Sequence, residues 1–387
     1  MESLSVKPPR TQPLAFAWPV GDRPGKPNSG PEMSSKHRTH RMEKLARIYD
    51  AEILPVWTEK FAQVLLRNLD LPSKGQILDV ACGTGYVALE LSRLKGDDTR
   101  LSAIEGSPAL LDVARKKLEE SGAKGVFLRT QDAEPKLKFA DGVYDLVLCN
   151  LSIAEMADPE AAIADFARVA CPGGEVRVTL PLSGSFNEFF DIYREVLVKH
   201  DKNETLRRLR THIDDAYPTA ERCEEWLRNA GLEDVSVDIE EFTLLFRSSR
   251  EFFFAPLIEF GPLAGWKAIA GTGQEMQDIF WYIKEGIDAY FDGRAFEITI
   301  RAGCLRGKKP AEPEAHTTEE VPLSHTPNLP RPGSNTDDED PDTLNPNTED
   351  FGHTLEGLPF IKPFGDVEDT VVPPLPPGAR DTEEDDD

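Results

Sequence analysis

Cysteine is scarce in this sequence and follows no metal-binding or redox pattern. The 387 residues contain five cysteines, none of them in a C-x-x-C pair, namely Cys82, Cys149, Cys171, Cys223 and Cys304. No group of cysteines and histidines has the spacing of a structural metal site, so we expect no bound metal. The odd number of cysteines and the lack of an N-terminal signal pattern predict a cytoplasmic protein.

Long apolar runs and a P-loop are also lacking. No stretch approaches the roughly 18 apolar residues of a membrane-spanning helix. The aromatic stretch 251–266 is too short for a span and contains Glu251 and Glu259. The pattern G-x-x-x-x-G-K-[ST] does not occur, which excludes a P-loop nucleotide site. We therefore predict no membrane span.

Basic residues are fewer than acidic ones, 44 against 69, and the distribution of charge divides the chain into three parts. Of the net charge of −25, residues 307–387 carry −16 and 14 of the 31 prolines, whereas residues 1–40 carry +3. Segments of this composition bury too little apolar surface to fold, so we predict disorder in 1–39 and 307–387. The remaining domain, 40–306, has a net charge near −12, which argues against nucleic acid as a partner.

Within 40–306, short apolar runs alternate with amphipathic helices. Strands and helices that alternate in this way predict a parallel sheet with helices on both faces. Amphipathic helices follow the fifth and the sixth predicted strand and would form a lid, and an N-terminal pair of helices is expected to break at Pro55. The fold class is thus α/β, Rossmann-like, with seven strands, mostly parallel. The predicted strands are 76–82, 100–106, 125–133, 144–152, 173–182, 234–246 and 295–307.

A glycine turn after the first predicted strand marks a ligand site. The stretch LDVACGTGYVALELS (78–92) fits G-x-G-x-x-A, with Gly83, Gly85 and Ala88 at the fixed positions. Both glycines allow the backbone to approach a ligand closely. Glu105, at the end of the second predicted strand, can accept both hydroxyls of an adenosine ribose. These residues serve a nicotinamide dinucleotide and S-adenosylmethionine equally well.

Asp79 separates these two cofactors. It lies at the end of the first predicted strand, four residues before Gly83. A dinucleotide would place its pyrophosphate at this turn, and a carboxylate about 4 Å away would oppose it by roughly 1–4 kcal/mol. S-adenosylmethionine carries an ammonium and a sulfonium, which a carboxylate attracts. The sequence therefore favours S-adenosylmethionine.

Five ordered blocks carry a family resemblance over about 40–306. LDVACGTGY resembles the first motif of class I S-adenosylmethionine-dependent methyltransferases, and AIEGSPALLDVARKKL resembles their second strand and helix. RTQDAEPKLKFADGVYDLVLCN is similar to their third and fourth strands, and DPEAAIADFARVACPGGEVRVT to the helix and turn before strand five. RIYDAEILPVW resembles the N-terminal helix of the ubiquinone/menaquinone and malonyl-carrier-protein subgroup.

The resemblance implies a role for each site residue. Tyr49 would close over the cofactor or merely pack, Asp132 and Ala133 would lie at the adenine, and Asn150 and Leu151 would end a strand beside the methyl group. Cys82 would touch the ligand through its backbone and is not a nucleophile. The predicted cofactor-binding residues are Tyr49, Asp79, Ala81, Cys82, Gly83, Gly85, Glu105, Gly106, Asp132, Ala133, Asn150 and Leu151.

The methyl acceptor is left open by the sequence. The lid is rich in aromatic residues, which would either line a pocket for a lipid-like, aromatic or carrier-linked small molecule or pack the lid's own core. Two lid histidines, His200 and His212, are not nominated as a general base, and no catalytic residue is named. A second hypothesis is a scaffold that binds a protein partner through the proline-containing tail segment 354–378. A third is an NAD enzyme.

Overall fold

The computed structural model describes residues 35–311. Most of the two predicted disordered segments, 1–39 and 307–387, and the whole of the tail segment 354–378 lie outside the described residues. Among the described residues, the first helix begins at Ser35 and the last strand ends at Lys308.

The N-terminal region is helical without a break. Helix α1 (Ser35–Ile48) continues into a π-helical segment (Tyr49–Thr58), which runs into α2 (Glu59–Leu66). Pro55 lies inside the π-helical segment, so the predicted break at this proline is wrong. A proline ring lacks an N–H and crowds the carbonyl four residues earlier, and the wider π turn relieves the crowding.

The central sheet has seven strands in the order β3-β2-β1-β4-β5-β7-β6. Only β7 runs antiparallel, pairing with β5 on one side and β6 on the other. The seven-stranded, mostly parallel α/β sheet predicted from the sequence is therefore confirmed. The strands are β1 (Gly75–Val80), β2 (Thr99–Glu105), β3 (Val126–Thr130), β4 (Tyr144–Asn150), β5 (Ala170–Pro181), β6 (Glu233–Phe246) and β7 (Phe296–Lys308).

Helices cover both faces of the sheet and form two separate cores. One core joins the sheet to the N-terminal helices and the helices that follow β5 and β6, and the other packs α5 and α8 against the opposite face. The connecting helices are α3 (Tyr86–Leu94), α4 (Pro108–Glu120), α5 (Pro159–Val169) and α8 (Ala220–Asn229). The lid consists of α6 (Asn187–Lys199), α7 (Asn203–Ala216), α9 (Ser249–Phe254), α10 (Pro256–Glu259), α11 (Leu263–Ala270) and α12 (Gly273–Tyr290).

None of the helices within 35–311 is long and apolar enough to cross a membrane.

The last strand is fixed to the sheet beyond the residue at which composition changes. The Lys309 N–H donates to the Gly174 carbonyl at 2.8 Å, and the Lys309 carbonyl accepts from the Gly173 N–H at 2.9 Å. The Lys309 Nζ donates to the Ala170 carbonyl at 2.8 Å. These bonds make Lys309 part of the domain.

We predict that two truncations of the tail differ in stability. A chain ending at Ala311 keeps every bond of Lys309 and should match the full chain in Tm and in ligand binding. A chain ending at Arg306 loses Gly307, Lys308 and the Lys309 bonds, and we expect it to unfold several degrees lower, since each lost bond contributes about 1 kcal/mol. Thermal melts of both proteins check this, and equal Tm values for the two truncations would contradict it.

Candidate functional site

The carboxyl ends of β1, β2 and β4 turn three polar side chains toward one face of the sheet. Along β1, Ile77 belongs to the lid-side core and Leu78 to the opposite core, so alternation places Asp79 on the lid side. By the same alternation Glu105 on β2 and Asn150 on β4 face the lid side too. These three predicted residues therefore lie on the same face of the sheet, at the carboxyl ends of its central strands.

Asp79 is a buried carboxylate without a partner. It is 1% exposed, and neither of its carboxylate oxygens has a hydrogen-bond partner among residues 35–311. Burial, reinforced by the negative charge of Glu105, raises the pKa of the Asp79 carboxyl to about 8, and the backbone N–H of Ala88 opposes this rise only in part. An unpaired buried carboxyl is costly and is expected only where a ligand completes it.

Glu105 connects the glycine turn to the end of β2. Its Oε2 accepts a hydrogen bond from the Gly83 N–H at 3.0 Å, and its Oε1 accepts one from the Ser107 N–H at 2.8 Å. Burial raises the pKa of the Glu105 carboxyl, and these N–H groups oppose that rise. Each oxygen keeps a further lone pair with which to accept a hydrogen bond from a ligand.

The two glycines of the turn have different reasons to be glycine. Gly83 has a φ of +56°, and a Cβ built on it would meet only the Tyr49 ring, with Cε1 4.0 Å away. Gly85 has a φ of +80°, and a Cβ there would lie 2.8 Å from the Cβ of Ala114 on α4. Gly83 therefore faces open space beside Tyr49. Gly85, which the sequence placed against the ligand, is in contact with α4.

Gly106, which follows β2, lies very close to Asp132, which follows β3. A Cβ on Gly106 would lie 2.1 Å from Oδ1 of Asp132, so any side chain there would displace this carboxylate. Asp132 is exposed and Ala133 half-buried. The neighbouring Gln131 was missed at the sequence level: it is buried, and neither polar atom of its side chain has a partner within the described chain. Its place at the carboxyl end of a strand was the available signal.

Two residues at strand ends hold left-handed backbone conformations. Ala81 follows β1 with a φ of +55°, and Leu151 follows β4 with a φ of +69°. Such conformations cost free energy in residues with side chains and concentrate at functional sites. The Leu151 N–H is held by Thr179, donating to its carbonyl at 3.1 Å and to its Oγ1 at 3.0 Å.

The side chain of Asn150 joins the end of β4 to the π-helical segment. Its Nδ2 donates to the Thr58 carbonyl at 3.0 Å, and its Oδ1 accepts from the Thr179 hydroxyl at 2.6 Å. The Tyr49 and Thr58 hydroxyls are 2.7 Å apart. A chain of polar contacts thus runs from β5 through β4 to Tyr49, which lies over the glycine turn.

Helix α4 holds the other end of the π-helical segment. The Lys117 Nζ on α4 forms an ion pair with Asp50, and the same ammonium lies 3.4 Å from the Thr84 hydroxyl in the turn. Cys82 is half-buried within the turn, and its N–H donates to the Ile104 carbonyl at 2.9 Å. Burial raises the pKa of the Cys82 thiol well above its usual value, so this sulfur stays protonated.

Comparisons with known proteins identify a family for this chain. Residues 77–174 match the family model of the methyltransferase domain. The chain is 30% identical over 179 residues to demethylmenaquinone methyltransferase of Deinococcus radiodurans, covering 45% of this chain and 70% of that protein. It is 32% identical over 124 residues to the ubiquinone/menaquinone biosynthesis C-methyltransferase UbiE of Psychromonas ingrahamii.

The matched lengths differ between these relatives. The alignment with the Psychromonas protein covers 31% of this chain and 49% of the relative, so the chain spans about half of that protein. Among solved structures, the YcgJ protein of Bacillus subtilis is 14% identical with a TM-score of 0.43, covering 66% of this chain and 100% of that chain.

Proposed function

Because this chain belongs to the class I methyltransferases, with S-adenosylmethionine as its methyl donor, we propose that the donor binds at the ends of β1, β2 and β4 and that a small uncharged acceptor binds beneath the lid. The observation that carries the proposal is the unpartnered carboxyl of Asp79. A cationic ligand supplies the partner that this carboxyl lacks.

The residues around the turn fit an adenosyl ligand. Glu105 has free lone pairs for the ribose hydroxyls, and Gly83 leaves room above the turn for close approach. We place the adenine beside Asp132 and Ala133 and add Gln131, whose unpaired amide supplies both a donor and an acceptor. The backbones of Ala81, Cys82 and Gly106 complete the wall of this pocket.

The remaining predicted residues position the site. The Asn150 amide is already bonded to Thr58 and Thr179, so we assign it to holding the π-helical segment and Leu151 in place. The strained backbone of Leu151 would lie beside the bound donor, on the side from which the acceptor approaches. Gly85 supports the site indirectly, because the absence of a side chain lets α4 pack against the turn.

When bound, S-adenosylmethionine supplies a methyl group on a sulfonium, an excellent leaving group. The protein's task is then to align the acceptor and exclude water. Tyr49 and the π-helical segment cover the turn from one side, and α10 contacts that segment from the lid. Burial holds the pKa of His212 at about 4, so this lid imidazole is uncharged at neutral pH.

Aromatic side chains connect the π-helical segment to the lid and suit an apolar, flat acceptor. Trp57 contacts Phe61, Phe186 and Phe242, with ring centroids 4.8, 6.1 and 6.1 Å away. The relatives are named for menaquinone and ubiquinone synthesis, and we extend a quinone-related ring to this chain as the first acceptor class to assay. An acceptor linked to a carrier protein is less favoured, because an acidic carrier would be repelled by the negative charge of this domain.

Release of a proton on binding tests the assignment of Asp79. Because the pKa of free Asp79 is about 8, its carboxyl is mostly protonated at pH 7, and a bound cation favours the ionised form. Between pH 6 and 7.5, below the range in which a free amino group titrates, binding should release close to one proton, and affinity should rise by up to about tenfold per pH unit. Calorimetry in two buffers of different ionisation enthalpy measures both.

A matched variant identifies the source of that proton. In Glu105→Gln the neighbouring negative charge is gone, the pKa of Asp79 falls, and proton release should disappear at a lower pH than in the native chain. Binding of S-adenosylmethionine that is independent of pH and releases no proton in the native chain would contradict the placement of the cation beside Asp79.

Two further proposals come from the sequence, one for the tail and one for the cellular compartment. The segment 354–378 would dock a protein partner, and the chain ending at Ala311 should lose that partner while retaining cofactor binding. The five cysteines, all free thiols, suit the reducing cytoplasm that we propose as the compartment.

A further inference from the structure

One hydroxyl on β5 contacts two of the residues predicted for the donor site. Thr179 is fully buried and lies opposite Asn150 in the parallel pairing of β4 with β5. Its Oγ1 accepts a hydrogen bond from the Leu151 N–H at 3.0 Å and lies 2.6 Å from the Asn150 Oδ1. Thr179 is not among the residues that the sequence predicted for the site, and its contacts exist only because β5 pairs with β4.

The direction of each bond follows from the chemistry of the groups. A hydroxyl has one proton and the Asn150 Oδ1 can only accept, so Thr179 donates its proton to that oxygen. The Asn150 amide is thereby fixed with its Nδ2 toward the Thr58 carbonyl, to which it donates at 3.0 Å. Removal of the Thr179 hydroxyl would leave the buried Oδ1 without this donor and would release the orientation of the amide.

The same hydroxyl supports a strained backbone. Leu151 has a φ of +69° and a ψ of −37°, a combination that is rare and costly for a residue with a side chain. Its N–H donates to the Thr179 carbonyl at 3.1 Å as well as to the hydroxyl. A strained conformation persists only where its surroundings hold it, and Thr179 supplies both of these acceptors.

The Asn150 amide connects Thr179 to Tyr49. The amide holds the carbonyl of Thr58, whose hydroxyl lies 2.7 Å from the Tyr49 hydroxyl. The Tyr49 ring covers the glycine turn, since its Cε1 would lie 4.0 Å from a Cβ on Gly83. Three successive hydrogen bonds therefore lead from β5 to the ring above the turn.

We propose that Thr179 is a positioning residue for methyl transfer, whose one hydroxyl holds both the Tyr49 ring and the Leu151 backbone against the bound donor. Thr179 acts only through its neighbours, because β5 lies beyond β4 from the strand that carries Asp79. The inference rests on the proposed function, since it takes the ends of β1, β2 and β4 as the donor site.

Two substitutions separate the hydroxyl from the volume of the side chain. Thr179→Val keeps the shape and removes the hydroxyl, whereas Thr179→Ser keeps the hydroxyl and removes a methyl group. In calorimetric titration of the full chain, affinity for S-adenosylmethionine should fall about 5- to 20-fold in Thr179→Val and stay within about twofold in Thr179→Ser. Thr179→Ser should nevertheless lower Tm, because it loses a buried methyl group. A merely structural role would link the two losses.

A second buried threonine provides the matched control. Thr99 is 1% exposed, and its hydroxyl donates to the Pro72 carbonyl at 2.7 Å. It lies at the amino end of β2, away from the site at the carboxyl end. Thr99→Val removes a buried hydroxyl bond of the same kind, so it should lower Tm about as much as Thr179→Val and leave affinity for S-adenosylmethionine unchanged.

A double-mutant cycle tests the connection to Tyr49. Tyr49→Phe removes the hydroxyl at the far end of the three bonds. In that background the loss of affinity caused by Thr179→Val should shrink to roughly 2- to 4-fold, the part that acts through Leu151. If Thr179→Val does not fold, Thr58→Val takes its place in the cycle, because it breaks the last of the same three bonds.

The outcomes separate this inference from the proposed function. Native affinity in Thr179→Val, an equal loss in Thr179→Ser, or fully additive losses in the cycle with Tyr49→Phe would each overturn the role of Thr179. If the native chain binds S-adenosylmethionine and one of these results is found, only the positioning role fails. If the native chain does not bind S-adenosylmethionine, the proposed function fails.

Discussion

Asp79→Asn should abolish useful cofactor binding while it makes the empty protein more stable. The carboxyl is buried and neither oxygen makes a hydrogen bond of normal geometry within residues 35–311, so it contributes little to the fold and gives a cationic ligand its charge partner. Removing one member of a buried charge pair costs about 2–5 kcal/mol, so we expect affinity for S-adenosylmethionine to fall roughly 30- to 4,000-fold. Calorimetric titration at pH 7.5 measures the loss.

The stability effect has a definite dependence on pH. An aspartate is ionised above its ordinary pKa of 3.8 when the chain is unfolded, whereas the folded protein holds this proton up to a pKa of about 8. The unfolded chain therefore gains about 1.4 kcal/mol per pH unit between these values, a penalty on the order of 4 kcal/mol at pH 7. The asparagine in the variant cannot ionise, so the stability advantage of Asp79→Asn should grow from pH 4 to pH 8 and then level off.

A half-buried aspartate with hydrogen-bond partners supplies the control. Asp165 on α5 accepts from the Leu137 N–H at 2.6 Å and from the Arg168 Nε at 2.7 Å. The same change there, Asp165→Asn, breaks a bonded ion pair and should lower Tm without affecting cofactor binding. A loss of stability in Asp79→Asn comparable to that in Asp165→Asn would mean that Asp79 is part of the scaffold, and the cation of the donor would need another carboxylate as its partner.

The sheet could be predicted, and a donor site could be proposed, because both depend on local sequence. Apolar runs alternating with helices gave all seven strands, and a strand, a glycine turn and a helix follow one another in residues 75–94. Asp79 and Glu105 end adjacent parallel strands, so the topology alone brings them together. Charge could then be used to choose between cofactors, because it depends on residue type and not on packing.

The parts that escaped prediction depend on contacts between distant segments. Pro55 predicts a break from local rules, and the π-helical segment persists because α4 and the end of β4 hold it at Asp50 and Thr58. The reason for Gly85 is a helix 29 residues away, which no motif records. The contact of α7 with α11 in the lid also joins distant segments, and the sequence showed only that the lid is aromatic.

Replacing each turn glycine by valine should separate binding from folding. In Gly83→Val the new side chain enters the open space beside Tyr49, where we place the ligand, so cofactor binding should disappear while the domain stays folded. In Gly85→Val the new Cβ would lie 2.8 Å from the Cβ and 3.2 Å from the Cα of Ala114. Backbone atoms cannot yield as a side-chain end can, so we expect a loss of roughly 3 kcal/mol or more in the free energy of unfolding.

A third glycine isolates the backbone cost that both variants share. Gly142 has a φ of +69° and would place a Cβ in open space, in the turn before β4. Gly142→Val therefore measures the strain of a left-handed valine alone, on the order of 1–3 kcal/mol, with binding intact. Gly83→Val should match this control in Tm and differ from it in binding, whereas Gly85→Val should unfold well below it. Retained affinity in Gly83→Val would place the ligand away from this turn, since the valine occupies the space that the proposed pocket requires.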